Sequence, residues 1–126
     1  MNAEEAAFAE EIVSFRGGEF VGQAEKDLAG IDGSIDEAPA TLKVLSTKNV
    51  QTVLDRLKEA QDAAIEARYA GVEAFVSAKN IAARDLLALQ DARGAIIRAT
   101  IESYPRQGIL KAVSILTADG WLRFVP

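Results

Sequence analysis

From Ser46 to Tyr104 the chain contains no proline, and apolar residues return along it every eleven positions. The pairs Val53-Leu54, Ala64-Ile65, Phe75-Val76, Leu86-Leu87 and Ile97-Arg98 mark the repeat, with Arg98 its polar exception. Eleven residues close three turns at ~3.67 residues per turn, near the ~3.6 of a straight helix. Such a stripe stays on one side of a nearly straight rod. Steps alternating between three and four give a second seam, from Val50, Val53 and Leu57 through Gly71 and Ala74 to Ala99, broken by Asp85. Small residues in that seam would let two helices approach closely. The spacing therefore predicts a long amphipathic helix over about 46–104, roughly 85 Å at 1.5 Å per residue. The alternative is a helical hairpin that turns near 77–80.

The flanking patterns are shorter. Asn2 with Glu5 three residues on is a capping box, and Phe8, Ile12 and Phe15 then share a face up to Gly17-Gly18. Phe20 to Ala29 reads as a further short helix ended by Gly30. Thr41–Leu45 alternates as a short strand, and Trp121–Val125 is a candidate to pair with it. Ser46 is a candidate cap for the long helix, and Pro105 would end it. Residues 106–119 read two ways. Ile109, Leu110, Val113 and Leu116 fit a helix closed by Gly120, the preferred reading because their spacing is three and four. They also fit a strand that turns at Asp119-Gly120 into Trp121–Val125, a favoured hairpin turn. The expected fold is one mainly α domain over 1–126. It has an acidic segment over 1–45 with a short helix, the long element over 46–104, and a C-terminal helix or β-hairpin over 105–126.

Composition narrows the function. Hydrophobic residues make up 49% and charged residues 26% of the 126 residues, too apolar for disorder. The absence of cysteine and histidine removes the thiol nucleophile, the usual general base and most transition-metal ligands. No GxxxxGK[ST] or GxGxxG phosphate cradle occurs. Ile31–Glu37 resembles the second half of a calcium loop, but Leu28, Gly30 and Pro39 stand where oxygen ligands are needed. No enzyme activity, metal or cofactor is expected. No apolar run reaches the ~20 residues that cross a bilayer, and the solvent face of 46–104 is too mixed for a membrane-lying helix. Membrane is not an expected partner, and a cytoplasmic or assembly-bound location is the default.

Net charge is −5, with ten acids against three bases in 1–46 and three bases against one acid in 106–126. These properties predict a self-associating structural or adaptor subunit of a larger protein assembly, of the kind found in a bacteriophage or other virion. The expected self-interface is Val53, Leu54, Ile65, Val72, Phe75, Val76, Leu86 and Leu87. The expected contacts to other subunits are Trp121 and Phe124, since aromatic residues anchor interfaces. A second reading rests on Ile109–Arg123, which resembles the close of a winged-helix domain. That resemblance implies a nucleic-acid-binding regulator with Lys111 and Arg123 as the bases that match. The acidic balance argues against nucleic acid as a partner.

Overall fold

The structure of the protein, a computed structural model, describes residues 2–22 and 30–126. Along the chain run α1 (Ala3–Arg16), β1 (Phe20–Gly22), β2 (Gly33–Ile35), β3 (Ala38–Val44), α2 (Val50–Glu66), β4 (Val72–Ser77), α3 (Ala83–Leu86), α4 (Arg98–Gln107), β5 (Leu110–Thr117) and β6 (Gly120–Phe124). The six strands form one sheet in sequence order. Strands β3, β4 and β5 are parallel neighbours, while β2 and β6 run antiparallel to the strands beside them.

Two connections step the same way across the sheet, from β3 through α2 to β4 and from β4 through α3 and α4 to β5. Crossovers of one hand then place their helices on one face. Val53, Leu54, Leu57 and Ala64 of α2 and Ile97, Ile101 and Tyr104 at α4 meet Val72, Ala74, Val76, Val113 and Ile115 there. The opposite face carries a smaller cluster, in which Phe8, Ala9 and Ile12 of α1 cover Ile35, Ala40, Leu42, Phe75 and Leu116. The sheet is thus sandwiched between α1 and the α2–α4 layer.

This mixed α/β sheet corrects the mainly α expectation. The stretch 46–104 is neither one helix nor a helical hairpin, and it forms no coiled coil. It holds α2, β4, α3, an irregular segment with an isolated Gln90–Ile96 bridge, and most of α4. The reason lies in β4. All six of its residues are buried, Glu73 and Ser77 included, so it shows no alternation of apolar and polar positions, and a strand covered on both faces then reads like a stretch of buried helix. Arg68 and Gly71, at φ of 62° and 70°, break the helical path between α2 and β4. The alanines that extended the seam fit any period.

The termini of the elements follow local chemistry. The Asn2–Glu5 capping box is formed, with Asn2 Oδ1 accepting from Glu5 N at 2.8 Å. The cap of α2 is Asn49, three residues beyond the expected Ser46, through Oδ1 and the Gln51 N–H at 3.0 Å. Helix α4 continues past Pro105 and stops at Gly108, which is left-handed at φ 82°. Residues 110–117 are strand, which overturns the preferred helical reading and removes the recognition helix that the winged-helix resemblance requires. The loop that joins β5 to β6 is Ala118-Asp119, one residue before the expected Asp119-Gly120, because Gly120 already pairs with Thr117. Thr41–Val44 lies in β3, but its neighbours are β2 and β4, so the expected pairing with 121–125 does not form. Of the helix expected over 20–29, Phe20–Gly22 is strand, and 23–29 lies outside the described residues.

Candidate functional site

Strands β4, β5 and β6 bring a polar cluster onto the α1 side of the sheet. Glu73 of β4 lies between Phe75 and the end of α1 and is 1% exposed. Arg16, in the last turn of α1, donates through Nε to Glu73 Oε1 at 2.8 Å and through Nη2 to Oε2 at 2.6 Å. Arg123 of β6 donates to the same carboxylate at 3.1 Å and to Ser114 Oγ at 2.8 Å. Arg16 also reaches Asp36 Oδ2 at 2.8 Å, in the turn between β2 and β3. Burial pushes the Glu73 carboxyl up. The hydrogen bonds from Arg16 and Arg123 outweigh burial and hold it below the ordinary glutamate value. The hydrogen bond to Glu73 in turn strengthens the hold of Arg16 on its proton. Both carboxylate oxygens are engaged, so the cluster works as a clasp that fixes α1 to the sheet.

Beside the clasp, Trp121 of β6 forms an aromatic stack with α1. Its ring centroid lies 5.8 Å from that of Phe8 and 4.5 Å from that of Phe15, each pair 10° from parallel.

A second polar corner lies one strand over. Asp32 Oδ2 accepts the Leu42 backbone N–H at 2.7 Å and the Thr41 hydroxyl at 3.3 Å. Burial raises its carboxyl above the ordinary aspartate value, against the opposing Leu42 hydrogen bond. Thr41 and Lys43 share a face of β3, as alternate residues of a strand do. Asp32 thus has a neutral hydroxyl and a backbone amide beside it, and Lys43 as a nearby positive charge. Among the described residues, no group of three His, Cys, Asp or Glu is placed to hold a metal ion.

The third feature is the outer edge of β6, where the sheet ends. A groove of about 320 Å³ runs along it, lined by Leu87, Leu122, Phe124 and Val125 on its apolar side and by Arg98, Glu102 and Arg106 on α4. Val125 is 58% exposed and Leu89, just past Leu87, is 79% exposed. The edge at β1 differs, being three residues long.

The residues expected to form an interface divide accordingly. Val53, Leu54, Val72, Phe75, Val76 and Leu86 are buried within the subunit, and Ile65 and Leu87 are exposed. Trp121 is half-buried under α1, and Phe124 is half-buried at the β6 groove. Sequence reasoning missed Glu73, Arg16 and Asp32. Glu73 and Arg16 are 57 positions apart. The available signal was a single glutamate inside the apolar run Val72–Val76.

No family model, no curated protein and no solved structure matches this chain. No helix among the described residues is long and apolar enough to cross a membrane. Nothing in the fold or the comparisons supports the virion expectation.

Proposed function

We propose that the protein is a non-enzymatic, self-associating subunit, and that copies join through the outer edge of β6. The observation that carries this reading is the outer edge of the five-residue β6, which pairs with no other strand among the described residues and lies beside exposed Leu87 and Val125. An open edge presents unpaired N–H and C=O groups and accepts a further strand. β6, Gly-Trp-Leu-Arg-Phe, has no proline or lysine to blunt that edge, and its single charge, Arg123, is paired with Glu73.

The sequence of β6 also fits a second copy of itself. In an antiparallel, two-fold pair centred on Leu122, Leu122 faces Leu122 and Trp121 faces Arg123. Opposite residues of such a pair project to the same face. Arg123 then stands opposite an indole and not opposite a second arginine, so no like charges are set against each other. A register centred on Arg123 would oppose two like charges and is disfavoured.

Light scattering across a concentration series tests the reading. The unaltered chain should give a mass of two copies. Leu122→Lys, which sets two ammonium groups against each other on the axis, should give one copy with an unchanged circular dichroism spectrum. A chain that is monomeric at high concentration, or a dimer that survives Leu122→Lys, overturns it.

A further inference from the structure

Helix α1 is tied to the rest of the fold by carboxylates. Among the described residues, every side-chain hydrogen bond between α1 and another element has an acid as its acceptor. Arg16 donates twice to Glu73 and once to Asp36, and Lys79 donates to Glu11 at 2.9 Å. The opposite layer is fastened differently. Helices α2 and α4 are joined by Gln61 Nε2 donating to Gln107 Oε1 at 3.0 Å, a neutral contact that acid does not touch.

Glu73 is the one charged side chain that is buried among the described residues. Two arginines face it, Arg16 from α1 and Arg123 from β6, with Asp36 behind the first and Ser114 of β5 behind the second. An ionised Glu73 holds both guanidinium groups. A protonated Glu73 leaves two positive charges confronting each other across a neutral carboxyl, with exposed Asp36 alone to offset Arg16. Burial raises the Glu73 carboxyl, and the arginine hydrogen bonds more than offset that rise. The clasp is therefore complete above the ordinary glutamate value of about 4.3 and is lost as pH falls through the lower folded value. Asp32 has the opposite sign: burial raises its carboxyl, so protonation there favours the folded form.

We propose that α1 is an acid-released cover. Protonation of Glu73 turns the clasp into a repulsion between Arg16 and Arg123, and α1 leaves the sheet while the α2–α4 layer stays folded. Two separate apolar clusters make this division possible, because none of the residues of the larger one packs under α1. Release bares Leu42, Phe75 and Leu116 on three adjacent strands and takes Phe8 and Phe15 off the Trp121 ring. The cover does not depend on the β6 edge, since α1 lies on a face of the sheet.

The test is a titration of the full chain from pH 7 to pH 2. It is followed by the emission of Trp121, the single tryptophan, and by the methyl NMR signals of Ile101 and Ile115 in the larger cluster. The expected result is a red shift of Trp121 in a first transition, through which both isoleucines keep their folded positions. Simultaneous change of Trp121 and the isoleucines, or a Trp121 still covered at pH 2, overturns the proposal. Glu73→Gln, neutral at every pH, separates the buried carboxylate from Glu11 and Asp36. It should show the red-shifted emission already at pH 7 with Ile101 and Ile115 folded. A Glu73→Gln chain that keeps Trp121 covered at pH 7 and opens in acid as the unaltered chain does refutes the role given to Glu73.

Discussion

Glu73 is buried on a central strand, and the strand would be more simply built with an apolar residue there. What holds it is the pair of arginines that reach it from α1 and β6. Removing one partner of a buried ion pair costs more than the pair contributes, because a charge is left without compensation. Glu73→Ala should lower stability by about 1–3 kcal/mol in urea unfolding, since Arg123 loses its carboxylate partner and Arg16 keeps only Asp36. The folded-state value of Glu73 is depressed, so its contribution is complete above the unfolded value near ~4.3. It disappears as pH falls through the lower folded value. Unfolding free energies measured from pH 7 down to pH 2 should show a loss that Glu73→Gln shares only weakly. An identical acid profile in Glu73→Gln would remove the clasp from the account of acid stability.

At the level of elements, what the sequence revealed depended on how local the determining interaction was. The Asn2–Glu5 box, the Gly17-Gly18 stop and the β3 strand each rest on residues within a few positions, and all three are present. Strand β4 rests on β3 and β5, more than twenty residues away on either side, and its pattern carries no period of its own. The clasp was hidden for the same reason, since its arginines lie 57 and 50 positions from Glu73. Helix α2 was legible as a helix, with Val53, Leu57, Ala60 and Ala64 on its buried face, but its end was not. Phe75 shows what the error means for experiment. As a rod residue its loss would dissolve an oligomer. In β4 it is fully buried between α1 and the sheet, so Phe75→Ala should cost about 3–5 kcal/mol of subunit stability. Chemical denaturation that shows less than 1 kcal/mol would deny it that place.

Over the whole molecule, the two apolar clusters divide the stability unevenly. The larger one joins three parallel strands to α2 and α4, and the smaller one holds α1 alone. Regions with fewer buried apolar contacts open at lower free energy than the global transition. Native-state hydrogen exchange should show the amides of α1 opening as a unit before those of β4 and β5. Equal protection in α1 and β4 would mean that the two clusters open together. The uneven charge, −5 overall with most of the excess acid before residue 47, keeps the α1 end of the chain well solvated.

The strand order also governs how the chain is made. Strand β4 lies between β3, finished at Val44, and β5, which begins only at Leu110. During synthesis the ribosome therefore releases β3, α2 and β4 well before the strand that completes the sheet, and for tens of residues one flank of β4 stays open. At translation rates of about 5–20 residues per second, the nascent chain spends seconds with the β5 side of β4 unpaired. In that interval the backbone N–H and C=O groups along the open side of β4 are free to pair with any other extended segment.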